Sequence, residues 1–232
     1  MRTVFDLIKQ HPGFDPKTQT DLPTIEEIWA ANTMTEEEFY KELARDRAAS
    51  DAGRREAERG RQERSGEELQ RRVLDSGIPS RYVGVPIDIT HKLDGGRGLY
   101  VMGGTDSERT ERACAILKGY LSTGWQSAEY VTSSLLMTNL SGGDPDGRAV
   151  ARYARCGLLV IDGMGRENPT EGALSLLWQI VDSRHGDMSP IVVTTQYGTD
   201  DLTRMLSRNG GEQNAKAIVE RIREACSLVK VG

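Results

Sequence analysis

The sequence has little of what several function classes require. Its 232 residues include only three cysteines, three histidines and 6% aromatics. Cys114, Cys156 and Cys226 lie far apart, form no CxxC pair and sit in apolar segments, which predicts buried free thiols in a reducing compartment and no disulfide framework. His11, His91 and His185 are isolated, so no Cys/His set has the ligand spacing of structural zinc. No stretch approaches the roughly 20 apolar residues of a membrane span. The N-terminal MRTVFDLIKQHPGF also lacks the apolar core and cleavage site of a signal peptide. These absences predict a cytoplasmic protein without a membrane partner. Excess positive charge is missing too. With 30 Lys+Arg against 35 Asp+Glu the net charge is −5, which excludes nucleic-acid binding by bulk charge.

What is present, 37% hydrophobic and 28% charged residues, suits one good core with a charged extension. The acidity has an address: residues 1–40 hold three bases against eight acids, a local charge of −5, whereas residues 76–232 are near neutral. That asymmetry predicts a basic or mixed protein partner for the N-terminal part. Thr24 with Glu27 opens a short amphipathic helix carrying Ile25, Ile28 and Trp29, and a second capping box, Thr35 with Glu38, opens a longer one. From Arg45 to Arg72 apolar side chains nearly vanish, which reads as a solvated helix or a flexible tether, broken at Gly53, Gly60 and Gly66. The divisions are residues 1–45, a helical docking segment, 46–75, a charged helix or linker, and 76–232, the core domain.

After Pro79, short apolar strands alternate with amphipathic helices. Strands are expected at residues 98–102, 128–131, 158–161, 191–194 and 228–231, and helices at 110–121, 146–154, 171–184 and 215–225. Strands this free of charge are covered on both faces, so the fold class is α/β: a three-layer sandwich around a five-stranded parallel sheet with right-handed crossovers.

The first strand runs into Gly103-Gly104-Thr105-Asp106-Ser107-Glu108-Arg109-Thr110. A phosphate-binding loop has GxxxxGK[ST] between strand and helix, because backbone amides wrap the phosphates, Lys reaches the β/γ oxygens and Ser/Thr holds Mg²⁺. Gly103 and Thr110 keep the spacing, but Glu108 stands at the second glycine and Arg109 at the lysine, a broken version of the motif. Glu108 and Asp106 place negative charge where phosphates would lie, and Arg109 is planar where the motif needs a compact ammonium. An ordinary strand-turn-helix with Glu108 and Arg109 paired at the surface fits the same residues. The third strand ends in Asp162, where a carboxylate would hold Mg²⁺, but Gly163 follows where an ATPase commonly has a second carboxylate. Gln196, just past the fourth strand, is either a γ-phosphate sensor or a plain polar strand end. Arg148, Arg152 and Arg155 share one helix face, either a solvated face or a track for single-stranded DNA phosphates.

The blocks IPSRY, GLYVMGG, LLVIDGMG, DSRHGDMSPIVVTTQY and IVERIREACSLVKVG, in that order over residues 76–232, resemble the DnaC/DnaI-type helicase loaders and the related IstB transposition helpers. The resemblance implies an AAA+ P-loop NTPase domain that binds ATP, Mg²⁺ and single-stranded DNA, behind a variable N-terminal region that docks on a replicative DNA helicase. It implies that Gly103 to Thr110 are the Walker A stretch, Asp162 the Walker B aspartate and Gln196 the sensor. Arg221 matches an arginine finger that reaches a neighbouring copy in a homo-oligomer, and Arg184 matches an arginine near that subunit interface. Glu108, Arg109 and Gly163 all depart from the pattern where ATP is bound and hydrolysed. The expectation is a helicase-loader-like protein with impaired hydrolysis. The alternatives are an active ATPase serving as an IstB-like transposition helper, with Arg109 and Glu167 replacing the missing groups, and a non-hydrolysing protein-interaction adaptor.

Overall fold

The computed structural model describes residues 35–232 except 92, 125, 143 and 145, so the expected helix around Thr24 and Glu27 lies outside the described residues. Thr35 and Glu38 form the expected capping box. The Thr35 N–H donates to Glu38 Oε2 at 3.0 Å, and the Glu38 N–H donates to Thr35 Oγ1 at 3.4 Å. Helix α1 (Glu36–Asp75) follows. It runs through Gly53, Gly60 and Gly66 without a break, a correction to the sequence expectation. A glycine costs a helix about 1 kcal/mol relative to alanine. The three are spaced among Ala, Arg, Glu and Gln, all strong helix formers, and this outweighs the loss. From Glu67 onward α1 belongs to a compact unit that continues to Gly232. There Val73 is buried, Arg72 donates to Leu121 O at 2.9 Å, and Ser76 O accepts from the Tyr130 N–H at 2.7 Å.

Within this unit the strands are β1 (Gly98–Gly103), β2 (Ala128–Thr132), β3 (Leu158–Asp162), β4 (Ile191–Thr194) and β5 (Cys226–Val231). All pair in parallel, in the order β2-β3-β4-β1-β5. The helices are α2 (Asp106–Thr123), α3 (Ser133–Ser141), α4 (Arg148–Arg155), α5 (Glu171–Gly186), α6 (Thr199–Leu206) and α7 (Glu212–Ala225). Alternation along the strands sends neighbouring residues to opposite layers. Leu99, Val101, Leu158, Val160 and Val192 pack with Ala113, Cys114, Ile116 and Leu117 of α2. Tyr100, Leu159, Ile161, Ile191 and Val193 pack with α3 to α7 through residues such as Leu140, Leu177, Leu202 and Ile218. The sheet is therefore covered on both faces over its mostly apolar strands β1 to β4, whereas the edge strand β5 is only partly buried and exposes Leu228.

Three differences from the sequence reading matter. Helices α3 and α6 were not expected, and α2 begins at Asp106, four residues before Thr110. The thiols are free: Cys114 and Cys156 are buried and Cys226 partly so. Burial pushes the Cys114 and Cys226 thiols each up to about 12, with the Asp162 charge adding to the effect at Cys114. Among the described residues no helix is long and apolar enough to cross a membrane.

Candidate functional site

Residues 103–110 and 162–167 meet at the C-terminal edge of the sheet, the usual ligand edge of an open α/β fold. β1 ends at Gly103, whose φ of 89° lies in the region glycine tolerates and whose added Cβ would stand 2.6 Å from Val231 O. After Gly104 the chain turns directly into α2, because Thr105-x-x-Glu108 is a helix-start signature. Thr105 caps the helix: its Oγ1 accepts from the Glu108 N–H at 3.3 Å. In return Glu108 Oε2 accepts from the Thr105 N–H at 2.6 Å and from its hydroxyl at 2.8 Å. These bonds, led by the Thr105 N–H, hold the Glu108 carboxyl below its ordinary value.

Arg109 points back over the same turn. Nη1 donates to Gly103 O at 2.6 Å and Gly104 O at 2.9 Å, Nη2 pairs with Asp106, and the side chain is only 6% exposed. The other Asp106 oxygen pairs with Arg166, from the loop after β3. The Arg166 hydrogen bond, with help from Arg109, holds the Asp106 carboxyl low.

Asp162 collects three hydroxyls. Its Oδ2 accepts from Thr110 at 2.9 Å and from Tyr130 at 2.8 Å, and its Oδ1 accepts from Thr194 at 2.6 Å. Thr194 Oγ1 also accepts from the Gly163 N–H at 2.8 Å, which fixes the start of the next loop. Burial and then the Asp162 charge push the Tyr130 phenol above its ordinary 10. Tyr130 and Thr194 are the residues that sequence reasoning missed. Both lie on the strands that flank β3, Thr194 one step past the Ile161–Val193 pair and Tyr130 two residues before the Thr132–Asp162 pair. The strand order therefore points to Thr194 directly, and Tyr130 reaches Asp162 through the length of its side chain.

The structure thus brings Thr110 to Asp162, while no hydrogen bond joins Gln196, Arg184 or Arg221 to that pair among the described residues. Gln196 is exposed past β4, whereas Thr194 two residues earlier touches the acid. Glu167 is buried, and its Oε2 accepts from the Gly165 N–H of its own turn at 2.9 Å. Arg221 pairs within the chain, with Asp182 at 3.1 Å and Glu224 at 3.1 Å, and Glu224 foremost holds its guanidinium above the ordinary value. Arg184, expected near a subunit interface, is 1% exposed and donates to Tyr153 O, Ala154 O, Cys156 O, Gly157 O and Pro190 O. It is an internal clamp between α4, β3 and β4. Arg148, Arg152 and Arg155 are exposed on α4; Arg148 pairs with Asp146, and Arg152 makes two bonds to Glu129 at 3.0 and 2.8 Å.

The fit to a nucleotide divides in two. Thr110 and Asp162 are hard oxygen donors side by side, a pair whose chemistry suits Mg²⁺. Residues 103–109 do not fit a polyphosphate as arranged. A turn of helix stands where a wide loop would be, the Thr105 and Glu108 amides already donate to side chains, and Arg109 has Nη1 on the carbonyls of Gly103 and Gly104 and Nη2 on Asp106.

A family model described as IstB-like ATP binding protein matches residues 91–232. Among solved structures, DnaI is similar at 17% identity and a TM-score of 0.52, over 73% of this chain and 84% of that one. The DnaC helicase loader is similar at 20% identity and a TM-score of 0.53, over 66% of this chain and 100% of that one. At such identities the likeness speaks for the fold. Comparison with curated proteins returned no match.

Proposed function

Because the chain belongs to the IstB-like ATP-binding protein family, we propose that it is a helicase-loader-like AAA+ protein that works as a binding adaptor with impaired ATP hydrolysis. The observation that carries the second half is the early start of α2. Thr105 and Glu108 satisfy each other's backbone amides, and Arg109 gives Nη1 to the carbonyls of Gly103 and Gly104 and Nη2 to Asp106, so that neither nitrogen is open to a phosphate in the resting chain. Gly163 supplies no second carboxylate after Asp162, and the nearest candidate, Glu167, is tied into its own turn. The active-ATPase alternative needs Arg109 to leave these partners and needs the buried Glu167, whose Oε1 has no partner among the described residues, to reach the Asp162 edge.

The first half rests on the fold shared with a helicase loader and on the charge of the N-terminal part. Residues 1–40 carry the net charge of the whole chain, so the helicase surface that receives residues 1–75 is basic or mixed. Arg155, with Arg148 and Arg152 once released from Asp146 and Glu129, forms a short phosphate track for single-stranded DNA. Arg221 reaches a neighbouring copy only by leaving Asp182 and Glu224, so a homo-oligomer, if formed, exchanges those pairs across its interface.

Calorimetry with Mg-ATP, paired with a turnover assay, tests the reading: weak or unsaturated binding and no turnover are expected. Tight binding with turnover would refute it. Co-purification separates the partners, since a hexameric helicase supports the loader role and a transposase supports the transposition-helper alternative.

A further inference from the structure

Asp106 is the one carboxylate in the described site that two arginines from different parts of the chain grip at once. Arg109 reaches it from within α2 and Arg166 from the loop after β3, each on its own oxygen. Arg109 does not depend on Asp106 for its place, because the carbonyls of Gly103 and Gly104 hold Nη1 and leave Nη2 to face the carboxylate. Neither guanidinium loses its charge in a protein. Two convergent guanidiniums bind a tetrahedral oxyanion as they bind a carboxylate, through charge-assisted bonds of fixed geometry, and a phosphate carries up to twice the charge of the aspartate. The first turn of α2 lies against the same point and favours an anion there. Asp106 itself is 52% exposed, so its side chain can leave without opening the core.

We propose that Arg109 and Arg166 form a binding site for a phosphate-type oxyanion, and that in the resting protein the side chain of Asp106 occupies it. The proposal rests on the reading that this nucleotide site is impaired, and it supplies a cause: the chain carries its own anion where a phosphate would bind. Glu108 does not compete for the clamp, because both its protein contacts go to Thr105. Removing the Asp106 charge leaves two facing guanidiniums with no carboxylate hydrogen-bonded to them, only the unbonded charges of Asp162 near Arg166 and Glu108 near Arg109.

The test uses the full chain and inorganic pyrophosphate, titrated by calorimetry at about 0.1 M salt so that diffuse attraction is damped. Asp106→Asn is expected to bind pyrophosphate about tenfold or more tightly than the wild type, and adding Arg166→Ala is expected to abolish the gain. Asp106→Ser, also a favourable residue at a helix start, reproduces the gain if the missing charge is the cause, and thermal melts of each variant establish that it is folded. Equal affinity in wild type and Asp106→Asn, or a gain that survives Arg166→Ala, overturns the clamp. Either result leaves the impaired-hydrolysis reading intact, whereas Mg-ATP turnover by the wild type refutes that reading by a separate measurement.

Discussion

Replacing Arg184 with methionine separates a structural arginine from an interfacial one. Its Nη1 serves Tyr153 O at 2.9 Å, Ala154 O at 3.2 Å and Cys156 O at 2.7 Å, and its Nη2 serves Gly157 O at 3.1 Å and Pro190 O at 2.5 Å. The guanidinium ties the end of α4 and the entry to β3 to the residue before β4. Methionine fills similar volume but takes the guanidinium donors from all five carbonyls, of which Pro190 O keeps the Leu159 N–H at 3.4 Å and Tyr153 O keeps the Cys156 thiol at 3.5 Å. An orphaned buried acceptor costs about 1–3 kcal/mol. The five share only four N–H groups and some relax toward water, so the sum is discounted. Against this stands the desolvation of the charge, which lowers the Arg184 pKa and which the substitution relieves. The expected net loss is about 3–5 kcal/mol, as for breaking other buried charged networks. For a domain of this size each kcal/mol moves the melting temperature by about 2–4 °C, so the shift is about 6–20 °C downward. Thermal melts at low protein concentration, where any oligomer has dissociated, measure it. Arg184→Lys keeps the charge but not the planar fork and is expected to recover part of the loss. A methionine variant that melts within about 2 °C of the wild type, yet fails to assemble, would return Arg184 to the interface role.

Tyr130→Phe removes one of the three hydroxyls on Asp162 and is expected to cost about 1.5–3 kcal/mol, the range for a hydrogen bond to a charged group, read as a fall in the urea midpoint with unchanged slope. Glu108 gives a pH signature. Its carboxyl is depressed in the folded protein, so its contribution is complete above the ordinary value of 4.5 and is lost as pH falls through the lower folded value. Wild type and Glu108→Gln are therefore expected to differ in melting temperature at neutral pH and to converge in acid. Parallel curves across that window would show that the capping carboxylate does not titrate with folding.

The sheet was legible because its strands are short, mostly apolar and separated by amphipathic stretches; Ile191–Thr194 matches its expected limits and Leu158–Asp162 differs by one residue. Helix α3 was hidden because Thr132 is both the last residue of β2 and the N-cap, so no loop announces the change. Helix α6 spans eight residues and buries only Leu202 and Leu206, too little periodicity to stand out. The site was legible in part. Thr110 and Asp162 meet as their spacing in the sequence suggested, but α2 starts early for a reason already visible in the letters. Thr105 and Glu108 repeat the spacing of Thr35 and Glu38, and that capping signal overlaps the phosphate-loop spacing of Gly103 and Thr110. What no pattern gave was direction: that Arg109 turns inward, that Arg221 pairs with Asp182 and that Arg184 faces carbonyls are outcomes of packing.

The three free thiols give the fold a chemical silence that can be read as a clock. The reactive species is the thiolate, and with the Cys114 and Cys226 thiols pushed up to about 12 only about one in ten thousand of each is ionised at pH 8. An alkylating reagent therefore reacts through chains that have opened, and its rate counts openings. Cys114 and Cys156 lie inside the two core layers and register loss of the whole unit, whereas Cys226 begins the edge strand β5 and registers the peeling of that edge alone.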